Sequence, residues 1–158
     1  MAGTDPIFAK IAARYDLLNT VMSFGQEQHW RRRGAAHLPP GRVLDLGAGT
    51  GAALPVLDGH EVVALDPVPQ MLALNPTRSR VVAVGEALPF RDGTFDGVFS
   101  AYVFRNLTSV DETVAEVARV LRPGGHLVVV GLSRPPGERS AALHRAASSV
   151  FLPAAGSL

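Results

Sequence analysis

The chain has 158 residues, a net charge of +1 and no cysteine, and 47% of its residues are hydrophobic against 18% charged. This length predicts one domain over residues 1–158 with one core, and the composition excludes a disordered or low-complexity protein. The near-neutral charge gives no reason to expect a nucleic-acid partner. Because the chain has no cysteine it has no thiolate ligands, and its five histidines are separated in the sequence. We therefore expect no metal site.

No targeting or membrane-spanning segment is predicted. The apolar runs fall far short of the roughly 20 residues that cross a bilayer, and the N-terminus lacks the basic start and apolar core of a signal peptide. The expected location is therefore the cytoplasm. Arg31-Arg32-Arg33 is interpreted as a solvated helix end, and the alternative is a peripheral contact with a membrane surface.

Residues 1–38 are predicted to form a helical lid. Asp5-Pro6 is typical of a helix start, because aspartate accepts from free N–H groups and proline has none to satisfy. A second helix is expected from Gln26 to His37, ahead of Pro39-Pro40.

Residues 41–133 alternate between short apolar runs and helical patterns, which predicts a parallel α/β sheet with helices on both faces. The predicted strands are 43–46, 61–65, 80–84, 95–101 and 126–132. Helices are predicted over 52–58, 67–74 and, at the C-terminus, 138–153. A further helix is predicted to begin at the Ser109 capping box, with Leu121 on its apolar face. Ligands of such sheets bind beyond the carboxyl ends of the strands, so we expect the site there.

A glycine-rich turn, Asp45-Leu46-Gly47-Ala48-Gly49-Thr50-Gly51, follows the first predicted strand. Glycines let a backbone turn tightly and approach a ligand closely. Asp66 ends the second strand, where an acid can accept both hydroxyls of a ribose. The structural alternatives are that Asp45 only caps the turn and that Asp66 is a solvated acid at a strand end.

The glycine spacing distinguishes between cofactors. It is G-x-G-x-G, whereas the dinucleotide fingerprint is G-x-G-x-x-G, and Asp45 stands two residues before the first glycine. A carboxylate at that point repels a pyrophosphate but attracts an ammonium group. The expected ligand carries a ribose and a cationic amino-acid end, as S-adenosylmethionine does. A NAD-dependent oxidoreductase is the remote alternative.

Several segments resemble the class I S-adenosylmethionine-dependent methyltransferases. The similar segments are Val43 to Gly51, Asp66, Glu86-Ala87-Leu88-Pro89-Phe90 with Phe95-Asp96, and Leu121-Arg122-Pro123-Gly124-Gly125. Two further segments narrow the resemblance to the ubiquinone/menaquinone biosynthesis C-methyltransferase family: Ile11 to Asn19, continuing through Trp30-Arg31-Arg32, and Phe104-Arg105-Asn106-Leu107-Thr108. The resemblance covers residues 7–136 and implies a Rossmann-like fold with about five parallel strands.

The resemblance implies methyl transfer from S-adenosylmethionine to a carbon of a demethylated quinol such as demethylmenaquinol. The implied catalytic residues are Arg105, Asn106 and Tyr15. The implied cofactor-binding residues are Asp45, Gly47, Ala48, Gly49, Thr50, Gly51, Asp66, Pro67, Met71, Gly85, Glu86, Ala87 and Ala101. Arg105 as a plain surface arginine, and Tyr15 as a core aromatic, are the structural alternatives. There are two functional alternatives. The methyl acceptor is another phenol or a polyketide, or the chain is a non-catalytic or truncated methyltransferase-like domain.

The sequence departs from the family pattern at two cofactor positions and at its C-terminus. Val84 stands where relatives carry Asp or Asn for the adenine amino group, and Ala101 where they carry a serine. The resemblance implies a further helix and an antiparallel strand pair beyond the fifth strand, and we expect this sequence to have the helix without the strand pair.

The missing pair predicts a homodimer, because the fifth strand would otherwise present unpaired backbone groups at its edge. Size-exclusion chromatography with light scattering is expected to give twice the chain mass. A single species near 16.7 kDa over a wide concentration range would contradict it.

Overall fold

The computed structural model describes residues 26–131. Tyr15, the predicted first helix, most of the predicted lid and the predicted helix over 138–153 lie outside the described residues. The helices are α1 Glu27–Ala35, α2 Pro69–Leu74 and α3 Val110–Val120. The strands are β1 Arg42–Leu46, β2 Glu61–Asp66, β3 Ser79–Val82, β4 Phe95–Ala101 and β5 Leu121–Val130, and short 3-10 turns cover Leu54–Val56 and Phe104–Asn106.

The five strands form one parallel sheet in the order β3-β2-β1-β4-β5. This confirms the predicted α/β architecture. The strand order reverses between β1 and β4, because the chain moves outward to β3 and then returns to the other side of β1. A crevice for ligands opens at such a reversal, beyond the carboxyl ends of the central strands.

Alternate residues of the central strand belong to two different cores. Val43 packs with Phe99 and Leu38 on the face that α1 covers, whereas Leu44 and Leu46 lie with Val117 of α3 on the opposite face. The strand period of two therefore places Asp45 on the same face as Val43, toward α1. This placement decides which helix the Asp45 carboxylate meets.

The predicted α-helix over 52–58 is wrong. The structure has a 3-10 turn there, whose bonds join each N–H to the carbonyl three residues earlier: Leu54 to Gly51 and Val56 to Ala53, both at 3.0 Å. Pro55 has no N–H to donate, so it removes one of the few bonds that so short an α-helix would have.

Two predicted strands, those of β3 and β5, have boundaries that differ from the structure by more than one residue. β5 begins at Leu121, which pairs with Phe95, so Leu121 lies on a strand and not on the apolar face of α3. A register shift between Phe95 and Gly97 accommodates the additional residues of β5 that follow. β3 ends at Val82, and Val84 lies in the loop beyond it.

α3 begins at its predicted cap and holds the loop that precedes β4. The Ser109 Oγ accepts a bond from the Glu112 N–H at 3.2 Å. Near the end of the helix, Arg119 donates to the carbonyls of Leu88 and Phe90, and Glu116 accepts from the Leu88 N–H at 2.8 Å. The Arg119 side chain beside it and the Leu88 N–H lower the pKa of Glu116 from 4.5 to about 2.

We predict that Glu116→Gln lowers the melting temperature near neutral pH by about 2–4 °C, the shift expected for a modest lost interaction in a domain of this size. Because the pKa falls on folding, the stabilisation is complete above pH 4.5 and is lost as the pH drops toward 2. The difference in melting temperature between wild type and variant should therefore become smaller as the pH falls from 6 to 3. Glu112→Gln, at an exposed position of the same helix, is the control, and an unchanged difference at pH 3 would contradict the prediction.

Candidate active site

A cavity of about 530 Å³ opens at the carboxyl ends of β1, β2 and β4. This volume falls in the range of about 300–1,000 Å³ that is typical of small-molecule sites. Asp45 and Leu46 of β1, Asp66 of β2 and Ala101 of β4 contribute to its wall. The cavity thus lies where the sheet topology predicts a ligand site.

Most of the predicted site residues line this cavity. They are Asp45, Gly47, Ala48, Gly49, Thr50, Asp66, Pro67, Met71, Gly85, Glu86, Ala101 and Asn106. Gly51, Ala87 and Arg105 are not among the lining residues. Ala87 and Arg105 are exposed, and Arg105 lies next to Asn106 in the turn after β4. Tyr15 is outside the described residues.

The glycine turn requires backbone angles that other residues rarely adopt. Gly47 has φ +74° and Gly49 has φ +51°. A Cβ on Gly47 would overlap the Val103 side chain, so the absence of a side chain lets the loop after β4 approach the turn. Gly51, at φ +96°, faces Leu54 and Pro76 behind the turn, which explains why it shapes the turn without lining the cavity.

Side chains of the next strand and helix hold the turn at Gly49. The Asp66 carboxylate accepts from the Gly49 N–H and from the Val68 N–H, each at 2.9 Å. The Asn75 amide donates to the Gly49 carbonyl at 3.1 Å and is 1% exposed. Each Asp66 oxygen keeps acceptor capacity beyond these bonds, because a carboxylate oxygen has two lone pairs.

Asp45 is buried beside the cavity without full hydrogen bonding. It is 2% exposed, and its Oδ2 has no hydrogen-bond partner in residues 26–131. Burial raises the pKa of Asp45 from 3.8 to about 7; the positive charge of Arg31 opposes the rise and the negative charge of Asp66 adds to it. A cation bound beside Asp45 would favour its charged form.

Glu86 fixes one wall of the cavity through its side chain. The Oε1 atom accepts from the N–H groups of Thr108 and Ser109, at 2.9 and 3.1 Å. These backbone bonds lower the pKa of Glu86. The carboxylate thereby ties the segment after β3 to the segment before α3, while the residue itself lines the cavity.

The two departures from the family pattern leave apolar surface in the cavity wall. Val84 lines it and is 46% exposed, and Ala101 lines it at the end of β4. Ser100 does not replace the missing hydroxyl at 101, because it is buried and its Oγ donates to the Leu46 carbonyl at 3.0 Å.

Arg31 and Tyr102 are two of the lining residues that the sequence analysis did not predict. The interpretation of Arg31 as part of a solvated helix end is wrong, since Arg31 is 5% exposed and lines the cavity, while Arg32 and Arg33 are exposed. The spacing of Arg31 and Ala35, four residues apart on one helix face, is the signal that could have found it. Tyr102 follows β4 directly and packs its ring under the Arg31 guanidinium, at 5.1 Å.

The part of the chain that the structure describes offers neither a metal site nor a spanning helix. Within residues 26–131 no three His, Asp or Glu side chains are grouped as a metal ion would need. In the same range, no helix has the length and apolar character needed to cross a membrane.

The chain is similar to a known family over nearly its whole length. Residues 3–158 match the model of the ubiE/COQ5 methyltransferase family. A Thermus thermophilus protein named demethylmenaquinone methyltransferase is 40% identical, over 96% of this chain and 76% of the relative. A Mycolicibacterium vanbaalenii protein of the same name is 41% identical, over 96% of this chain and 69% of the relative.

Comparison with solved structures supports the fold. A structure from Methanococcus maripaludis superposes with a TM-score of 0.69, covering 97% of this chain and 76% of that chain. At 18% sequence identity, this likeness shows the fold alone.

We predict that cofactor binding depends on the charge of Asp45. With a pKa of about 7, Asp45 is mostly protonated at pH 6 and mostly ionised at pH 8, and only the ionised form attracts an ammonium group. Calorimetry with S-adenosylhomocysteine should therefore show affinity rising roughly tenfold over this interval. Arg31 and Asp66 are the other charged groups that act on this carboxyl. Asp45→Asn should remove the pH dependence, and an equal dependence in the variant would contradict the assignment.

Proposed function

Because the chain belongs to the ubiE/COQ5 methyltransferase family and is thus an S-adenosylmethionine-dependent methyltransferase, we propose that it methylates a ring carbon of a demethylated quinol such as demethylmenaquinol. The names of the Thermus and Mycolicibacterium relatives support this acceptor. The observation that carries the methyl-donor part of the proposal is the cavity at the carboxyl ends of β1, β2 and β4, where the unpaired Asp45 oxygen is suited to the ammonium of the cofactor.

The residues that line the cavity would hold the cofactor from different strands. Asp66 would accept the ribose hydroxyls with the acceptor capacity that its backbone bonds leave. Val84 and Gly85 would offer apolar surface and backbone to the adenine. Asp45, on the α1 face of the sheet, would hold the ammonium of the methionyl end.

S-adenosylmethionine supplies an electrophilic methyl group on a sulfonium, which a carbon nucleophile attacks in line. The protein's contribution is then to position the acceptor and to exclude water. Loss of a ring-hydroxyl proton to solvent makes the adjacent carbon nucleophilic and leaves charge on the oxygen. After methyl transfer the cofactor product is S-adenosylhomocysteine, and the methylated carbon loses its hydrogen as a proton to restore the aromatic ring. Arg105 lies between the cavity-lining residues Val103 and Asn106 and would stabilise this oxyanion through a water. Asn106 and Tyr15 would orient the ring.

We expect the purified protein to transfer a labelled methyl group from S-adenosylmethionine to demethylmenaquinol presented in detergent. Arg105→Ala should lower kcat by about 100-fold or more, as loss of an oxyanion donor does in other enzymes. Arg91→Ala, another exposed arginine, should retain wild-type turnover.

The outcomes separate the parts of this proposal. Full turnover of Arg105→Ala would remove the role assigned to that residue. Transfer to other phenols but not to the quinol would replace the acceptor, and binding of cofactor without transfer to any acceptor would indicate a non-catalytic domain.

A further inference from the structure

Arg31 is a buried cation with unused hydrogen-bond donors. Its side chain is 6% exposed, and neither Nε nor Nη1 has a hydrogen-bond partner in residues 26–131. Glu27 Oε1 lies 3.7 Å from Nη1 and forms an ion pair with it beyond hydrogen-bond distance. A guanidinium is therefore held inside the protein with donors left over.

Such an arrangement is costly unless a ligand completes it. A charged group taken out of water loses hydration, and a buried donor without an acceptor costs free energy in addition. The planar guanidinium matches the two oxygens of a carboxylate and binds them through paired bonds. Because Arg31 lines the cavity, its missing acceptor can be supplied from there.

A negative charge, the carboxylate of Asp45, lies on the face of the sheet that carries Arg31. Asp45 also lines the cavity, also lacks a partner at Oδ2, and is close enough to Arg31 for the two charges to interact. The cavity thus presents one unpaired anionic acceptor and one unpaired cationic donor set. An α-amino acid group, with ammonium and carboxylate on one carbon, is complementary to both.

We propose that Arg31 binds the carboxylate of the methionyl end of S-adenosylmethionine, while Asp45 binds its ammonium. The proposal rests on the cofactor of the family and not on the identity of the methyl acceptor. Its failure and the failure of the quinol proposal are therefore distinguishable, since cofactor binding is measured without acceptor.

Tyr102 acts as the positioning residue for Arg31. Its ring centre lies 5.1 Å from the guanidinium carbon, a distance at which a cation and an aromatic face attract each other. Tyr102 has φ +65°, and its N–H donates to the Val130 carbonyl at 2.7 Å, so β5 holds the residue in this unusual backbone angle. The backbone strain is consistent with a side chain that must face one direction.

The test is calorimetry with two ligands that differ only in the carboxylate: S-adenosylmethionine and decarboxylated S-adenosylmethionine. Wild type should bind the complete cofactor about 10–100-fold more tightly, the value of hydrogen bonds to a charged group. Arg31→Met should reduce this preference to within about threefold by weakening only the complete cofactor. Arg32→Met, the exposed neighbour on the same helix, should keep the wild-type preference.

Three results would overturn the proposal. They are equal affinity of the wild type for the two ligands, an equal loss of affinity for both ligands in Arg31→Met, and unchanged affinity for both ligands in Arg31→Met. If Arg31→Met fails to fold by circular dichroism, the wild-type ratio still decides, and Arg31→Lys provides the variant. Lysine keeps the charge without the planar pair of donors. The preference of Arg31→Lys for the complete cofactor should therefore fall between those of the wild type and Arg31→Met.

Discussion

Both backbone polar groups of Gly49 are bonded to side chains, and the shape of the cavity depends on this double attachment. Asp66 accepts the Gly49 N–H from the end of β2, and Asn75 donates to its carbonyl from the end of α2. Arg80 of β3 in turn donates to the carbonyl of Asn75 at 3.0 Å. The glycine turn is therefore braced by three consecutive elements, so a flexible sequence adopts one conformation beside the ligand.

The two aspartates at this edge of the sheet have different tasks because their partners differ. Both oxygens of Asp66 receive backbone N–H groups, which makes this carboxylate a part of the framework. Asp45 lies deeper, and one of its oxygens receives nothing from residues 26–131, so burial dominates its behaviour and raises its pKa. The neighbouring strand ends therefore carry one acid that holds the backbone and keeps acceptor capacity for a ligand, and one acid whose charge state responds to a ligand.

The alternation of apolar runs and helical patterns predicted the sheet, and the rule on strand ends then predicted the position of the cavity. Its residues beyond Asp45, the glycine turn and Asp66 were predicted only through the family resemblance. Side-chain bonds across long sequence distances, such as Asn75 to Gly49, leave no pattern in the sequence and were not predicted. Arg31 was missed because three consecutive arginines resemble a uniform charged surface, although a helix turns about 100° per residue and directs only one of them inward. The predicted helix over 52–58 takes no account of Pro55, whose missing N–H removes one of the few bonds of so short a helix.

The backbone angle at Tyr102 carries a cost that its buried ring outweighs. Glycine adopts φ +65° without steric cost, whereas a residue with a Cβ loses about 1–2 kcal/mol there. The ring is 6% exposed and belongs to the core under α1, and truncating a buried aromatic costs more, about 3–5 kcal/mol. A collection of variants screened for heat resistance would therefore keep an aromatic residue at this position in spite of the strained backbone, and with it the ring that lies under the guanidinium.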